Sequence, residues 1–347
     1  MPGKSKPFFS LSRSINKRLF INIGKRLLGL VATYWITITL IFLLPRLIPQ
    51  NPAWRYLESL YRQYALYPET LRAYELRLLR EYGVGMPLWW QYMDFLVRTF
   101  QGDLGTSINF YPARVIEIFQ KALPWTLVLL VPVVLLSWAT GTIIGAYVGY
   151  RRGSRADRLF VGLTYVLSNI PSYWLALLMV FTFAFYLKIF PSGGGISPGI
   201  MPSLTTTFIV DFLKHYTLPF LTLYIVMTPG WAGSMRALVS SQLESDYVNF
   251  LRLMGVRDNI ICKYVLRHAI IPQLTSLGVA MGGIVMGNLF VETVFSYPGV
   301  GYFLAAALGT LDYPLIQGFF VLIVAVVFAT NFIVDILRIV IDPRARM

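Results

Sequence analysis

Charge is scarce in this chain: 13% of its 347 residues are Asp, Glu, Lys or Arg, about half the density of an ordinary soluble domain. With 56% of residues hydrophobic, too few polar groups remain to cover a water-facing exterior, and the same balance excludes a disordered chain. A single cysteine, Cys262, leaves no internal disulfide. The two histidines, His215 and His268, fall in different loops, so there is no HExxH zinc site. No pair of carboxylates lies within an apolar run. Gly3-Lys4-Ser5 lacks the earlier glycine and the preceding strand that a phosphate-binding loop needs. No catalytic, cofactor-binding or metal-ligating set is therefore expected, and no nucleotide hydrolysis by this chain.

What the chain does have is long uncharged runs and a net charge of +14. Its Lys and Arg are separated by those runs instead of being gathered on one solvated face, which argues against nucleic acid and for a lipid bilayer. About 18 or more apolar residues are needed to cross the hydrocarbon as a helix. Six runs qualify: Leu27 to Leu44, Ala122 to Tyr150, Leu159 to Leu187, His215 to Met235, Ala269 to Val291 and Tyr313 to Val334. Two more, Ile189 to Val210 and Thr293 to Leu311, are interrupted by PSGGGISPGIMP and SYPGVG, and are expected as loops or short re-entrant pieces. The first run, with its long basic leader and no small-x-small cleavage pattern, is expected as a retained span.

Orientation follows from the basic residues, which are enriched in cytoplasmic loops. With the N-terminus inside, residues 1 to 26, 151 to 158, 236 to 268 and 335 to 347 hold nineteen basic and six acidic residues, +13. The outside segments hold the remaining eleven and ten, +1. The expected fold is therefore an all-α polytopic membrane protein with six transmembrane helices and both termini cytoplasmic. It divides into a basic segment 1–26, a first span 27–48, an external loop 49–121 and a five-helix core 122–347 that includes a loop at 236–271. Within the external loop, residues 53 to 82 alternate Arg with Glu and Leu with Tyr around Pro68, predicting two short amphipathic helices.

The six runs contain no Asp, Glu, Lys or Arg, and their one histidine, His215, stands at the end of its run, whereas a proton- or ion-driven carrier keeps ionisable groups within its spans. Asn169, Asn288, Gln317 and Asn331 are expected to join helices to one another.

The loop between the fourth and fifth spans is the most specific segment. In ESDYVNFLRLMGVRDNIICKYVLRHAIIPQL, Asp246 can cap a helix from Tyr247 to Met254, Gly255 reverses the chain, and a second helix runs from Asp258 into the fifth span at Pro272. Tyr247, Phe250, Leu251 and Met254 recur at helical spacing and form one apolar face, suited to a protein groove.

This loop resembles the coupling loop of the membrane subunits of ABC importers, in the dipeptide, oligopeptide and nickel permease family. The resemblance rests on Asp246-Tyr247-Val248, Gly255, Arg267-His268-Ala269 and Pro272. It extends to VETVFSYPGVG (291 to 301), RLIPQNPA (46 to 53), PLWWQYMDFL (87 to 96), GDLGTS (102 to 107) and DPR (342 to 344). It thus covers the chain from about Ile23 onward and is nearest to the first, B-type permease of the pair. The chain departs from the family in Leu251, Leu253 and Met254, where small residues and a Lys are usual, and in a longer stretch at 53 to 70.

The resemblance implies a type I ABC importer permease in the cell membrane, paired with a homologous second permease, two ATP-binding subunits and an extracytoplasmic solute-binding protein. ATP and Mg would sit on the partner subunits. It implies that Asp246, Tyr247, Phe250, Leu251, Arg252, Met254, Gly255, Arg257, Arg267, His268 and Pro272 couple to the ATPase. Glu292, Tyr297, Pro298, Gly299 and Gly301 would form an external gate or turn. Oligopeptides are the expected cargo, with oligosaccharides or nickel as alternatives. The alternative of another class is a stand-alone channel or secondary carrier.

Overall fold

The computed structural model describes Gly24, residues 28–47, Arg72 and residues 86–341. Apart from Arg72, the segment expected to hold the two amphipathic helices lies outside these residues, as does DPR at 342 to 344. The described chain is helical, with one isolated β-bridge between Thr106 and Arg114. Its helices, numbered along that chain, are α1 (Leu28–Leu43), α2 (Leu88–Gln101), α3 (Val115–Tyr150), α4 (Arg155–Ser168), α5 (Ser172–Met179), α6 (Thr206–Leu243), α7 (Asp246–Leu253), α8 (Asp258–Gly283), α9 (Leu289–Val294), α10 (Val300–Thr310) and α11 (Tyr313–Ile341).

Among the described residues, four helical stretches are long and apolar enough to cross a bilayer: Val115–Tyr150, Thr206–Leu243, Asp258–Met286 and Tyr313–Phe332. The expected third span is not one helix. α4 and the Ser172–Tyr186 helix meet at an 86° bend and make a fifth crossing if taken together. The break falls at Asn169-Ile170-Pro171, where proline disfavours α geometry in the residue before it and brings no N–H of its own. Past α5 the helix continues as a π-helical segment, Val180–Tyr186. Thr293 to Leu311, expected as a loop or short re-entrant pieces, contains the 11-residue helix α10, with Phe295 to Gly299 and Leu311 non-helical. α6 and α8 run well beyond the uncharged runs because Asp211, Lys214, Arg236 and Lys263 lie within the helices.

The described residues group into two compact units, Met1–Ile116 with Thr310–Met347, and Glu117–Gly309. In the first, Ile38 and Ile41 of α1 pack with Val321 of α11 and with Phe95 and Leu96 of α2. Gln317 Nε2 donates to the Ile41 carbonyl at 3.1 Å, the helix-joining role expected of it. Arg46 reaches Gln91 Oε1 at 2.9 Å and so ties two of the recognised motifs together. Asp312, 1% exposed, gathers the third: its carboxylate accepts from Ser107 Oγ at 2.5 Å and from the Ile108, Asn109 and Leu315 amides at 2.9 to 3.2 Å.

The second unit is built on α6. Leu129, Leu130, Val133 and Val134 of α3, Ala176 of α5, and Leu218 and Leu223 of α6 share a core with Ile284, Val291, Phe295 and Tyr297. In lipid the hydrophobic effect does not drive helices together, so close packing and buried polar links must. Both are present. Gly141, Gly145 and Gly149 place α3 directly on the backbone of α6 at Thr228, Ala232 and Arg236. Gln273, fully buried on α8, accepts from Ser234 Oγ at 3.0 Å and donates to the Trp231 carbonyl at 3.0 Å. Along α6, Phe208, Phe212, Tyr216, Phe220 and Tyr224 form a ladder of rings at i, i+4 spacing, with centroids 5.3 to 6.1 Å apart. Outward-facing Ile143, Leu159 and Phe181 are each about two-thirds exposed, as suits a surface bathed in lipid.

Candidate functional site

The loop between α6 and α8 is a short rigid helix on two arms. The residue at the N-cap of α7 is Ser245, with extended φ −73° and ψ 150°, and Asp246 is the first helical residue. Asp246 therefore acts through the helix dipole and not as the cap expected from the sequence. The Ser245 hydroxyl turns back to the Gln242 carbonyl at 2.5 Å and fastens the loop to the end of α6.

The C-terminal end is fixed more tightly. Gly255 has φ +70°, its N–H donates to the Arg252 carbonyl at 3.0 Å, and the Val256 N–H donates to the Leu251 carbonyl at 3.1 Å. This is the paired-bond stop in which a left-handed residue satisfies the last carbonyls of a helix, and Leu251 and Val256 pack into one cluster, as that motif favours. α8 then starts at Asp258, with Arg257 in extended backbone at its N-cap position, and the Tyr150 hydroxyl donates to the Asp258 carbonyl at 3.1 Å.

The apolar residues of α7 divide between two directions. Val248, fully buried, packs with Met235 and Val239 of α6 and Ile261, Val265 and Ala269 of α8, with Tyr247 and Leu251 half-buried beside it. Tyr247 stacks on His268 at 5.3 Å and donates to Gln242 Oε1 at 3.0 Å, while His268 Nδ1 bonds the Tyr264 carbonyl at 2.8 Å. The outward set is Phe250, Leu253 and Met254, at 61%, 87% and 67% exposure. Of the residues expected on the free face, the structure keeps Phe250 and Met254 there, turns Tyr247 and Leu251 inward, and adds Leu253. Arg252 and Arg257 are exposed. Arg267 lines a groove of about 800 Å³ with Lys263, Ile143 and Ile270. Pro272 lies inside α8 without ending it. Cys262 is half-buried on the second turn of α8, on the arm of the loop.

A second built site surrounds Glu292. This side chain is fully buried, yet every group aimed at it is a donor. Oε1 accepts from Thr126 Oγ1 at 3.1 Å and the Asn288 N–H at 3.3 Å; Oε2 accepts from the Gly301 and Tyr302 N–H groups at 2.7 and 3.2 Å. Burial holds the carboxyl above the ordinary glutamate range against the downward pull of these donors. Thr126 Oγ1 also accepts from the Val300 N–H at 2.8 Å, so one hydroxyl clamps both sides of the turn.

Gly299 is required here because any Cβ would overlap Glu292 and Thr126, and at Gly301 a Cβ would lie 2.7 Å from Leu289 Cα. Tyr297, also fully buried, donates to the Trp125 carbonyl at 3.2 Å. The two interrupted runs meet at this point: the Gly194 N–H donates to the Phe295 carbonyl at 2.8 Å, and Gly195 sits against Pro298 and Trp125. Ser197, further along the glycine-rich loop, donates from its N–H and Oγ to Asp211, which fixes the loop to the start of α6.

Sequence reasoning missed Thr126, Gln273, Asp157 and Arg236, whose partners lie 39 to 174 residues away. Their only signal was a polar residue bordering or interrupting an apolar run. Among the described residues, no group of three or more His, Cys, Asp or Glu is placed to hold a metal ion.

Apolar helices of spanning length, joined by buried polar links and carrying one short helix on a hairpin between two of them, are the architecture of a multi-pass membrane protein. The chain belongs to the family described as "Binding-protein-dependent transport system inner membrane component", whose model matches residues 141–347. A Brucella ovis protein whose name marks it as a peptide permease is 33% identical over 326 residues, covering 94% of this chain and 98% of its own length. The dipeptide transport system permease protein DppB of Escherichia coli K12 is 29% identical over 339 residues, 92% of this chain and 97% of its own. The oligopeptide transport system permease protein AppB of Bacillus subtilis is 29% identical over 282 residues, 80% and 86% of the two chains. The resemblance to B-type ABC permeases seen in the motifs thus holds across the chain.

Proposed function

We propose that this chain is the first permease of a pair in an ATP-driven, binding-protein-dependent importer of peptides in the cell membrane. It crosses the bilayer six times with both termini in the cytoplasm, lines half of the translocation path and has no catalysis of its own. The distribution of basic residues supports the orientation, and the relatives named for dipeptides and oligopeptides favour peptides over oligosaccharides or nickel.

The observation that carries the coupling role is α7 itself. Phe250, Leu253 and Met254 stand out from a helix whose other face is buried between α6 and α8 and whose end is locked at Gly255. Such a face fits a groove on an ATP-binding subunit, and the lock lets a push on the helix reach α6 and α8 without being absorbed in the turn.

The test is co-purification of the tagged chain followed by transport in vesicles. Recovery with a second permease and two ATP-binding subunits, and uptake of a labelled dipeptide that requires ATP, is the expected result. Uptake that persists without ATP, by a chain recovered alone, identifies a stand-alone channel or carrier instead. Within the complex, Gly255→Val forces a β-branched residue into a left-handed conformation, a cost of about 1–2 kcal/mol, in a place where a Cβ meets no other atom. The variant is expected to insert and assemble but to hydrolyse ATP without proportionate uptake.

A further inference from the structure

Asp157 and Arg236 form an ion pair, buried on the Asp157 side and a quarter exposed on the Arg236 side, that lies outside the loop discussed so far. Asp157, in the first turn of α4, is 4% exposed. Its Oδ1 accepts from Arg236 Nε at 2.5 Å and its Oδ2 from Arg236 Nη2 at 2.9 Å, a two-pronged fork. The Gly153 N–H donates to the same Oδ2 at 2.9 Å, and the Asp157 N–H donates to Ser154 Oγ at 3.1 Å, which caps α4. The short turn between α3 and α4 is thereby locked around the carboxylate. Arg152 of that turn pairs with Glu244 at the end of α6, an exposed contact of small weight by itself.

Arg236 lies seven residues before the end of α6, about 10 Å along the helix, and α7 begins three residues further on. At its other end α4 stops at the 86° bend, where the chain is free of a continuous helical hydrogen-bond ladder. An apolar contact would join α4 to α6 about as stably, because desolvating the Asp157 carboxylate costs much of what its attraction to Arg236 contributes. A fork adds what an apolar contact does not: a single register, in which α4 cannot slide along α6 without breaking both bonds.

We infer that Asp157 and Arg236 are positioning residues for transport, the joint through which displacement of α7 moves α4 together with the lower part of α6, with Asn169 to Pro171 as the hinge. This rests on the coupling reading of α7. The test uses the whole complex in liposomes, with ATP hydrolysis and uptake of a labelled dipeptide measured together.

Asp157→Asn is expected to assemble with the ATP-binding subunits and to retain basal hydrolysis, while uptake per ATP falls about three- to thirty-fold. The exchanged pair Asp157→Arg with Arg236→Asp is expected to recover part of it. Arg236→Lys, which keeps the charge but loses the fork, gives a second measurement should Asp157→Asn fail to insert, and is expected to lose uptake per ATP in the same direction. Wild-type uptake per ATP in an assembled variant overturns the joint. If the wild-type complex itself shows no link between hydrolysis and uptake, the coupling reading fails instead.

Discussion

Gly145 lies so close beneath Ala232 that a methyl group on it would overlap the Ala232 carbonyl, and would stand 3.0 Å from Met235 Cβ. The same holds one turn away in each direction. An added Cβ would lie 2.7 Å from Trp231 Cβ at Gly141 and 2.9 Å from the Arg236 carbonyl oxygen at Gly149. The backbones of α3 and α6 are therefore in contact over two helical turns, the close approach that glycine at every fourth position allows in membranes.

Gly145→Ala is accordingly expected to destabilise the protein by about 1–3 kcal/mol through overpacking. Gly230→Ala on α6, where a Cβ meets nothing within 4 Å, is expected to be neutral or slightly stabilising. Thermal unfolding in detergent, followed by size exclusion, compares the two. Equal melting temperatures would remove the backbone contact from the account of how these helices associate.

The nest around Glu292 makes a graded prediction. Glu292→Ala leaves four donors facing an empty space, at about 1–3 kcal/mol for each that stays unsatisfied. Thr126→Val loses one of those donors and orphans the Val300 N–H, for a smaller loss, and Thr126→Ser restores the hydroxyl and most of the stability. Melting temperatures should fall in the order wild type, Thr126→Ser, Thr126→Val, Glu292→Ala. A Thr126→Val variant as stable as wild type would show that the turn is held by Tyr297 and the glycines alone.

The exposed face of α7 separates binding from folding. Replacing Phe250, Leu253 and Met254 together by Ser removes no fully buried side chain, so the stability of the isolated chain should change by no more than about 0.5 kcal/mol, while recovery of the ATP-binding subunits is lost. Val248→Ser is the opposite case: fully buried, it is expected to destabilise the chain whether or not a partner is present. Retention of the ATP-binding subunits by the triple variant would place their contact elsewhere.

Much of this was legible in the residues. Uncharged runs located the four helices of spanning length and the bent pair, while the first run corresponds to the shorter helix α1, and the Asp246 to Pro272 spacing located the short helix α7 with Gly255 at its turn. Two kinds of feature were not. The run from Leu159 to Leu187 has the composition of one span, and its break is signalled only by Pro171, whose effect depends on whether neighbouring helices restore the lost hydrogen bond. Counting apolar residues also sets the ends of helices too early: α6 passes through Asp211 and Arg236 because each finds a partner, Ser197 and Asp157, that proximity in the chain does not disclose. The apolar face of α7 was read from period alone. Period places Tyr247 and Leu251 beside Phe250, but only the position of α6 and α8 decides which of them remain free.

The solitary Cys262 offers a way to test whether α7 moves as proposed. It is the single thiol of the chain, half-buried one turn into the arm that carries α7. A maleimide fluorophore or spin label would attach at one defined place in an otherwise native sequence. Under the proposed coupling, its environment changes when ATP-binding subunits engage and release Phe250, Leu253 and Met254, so the proposed movement can be tested spectroscopically without redesigning the protein.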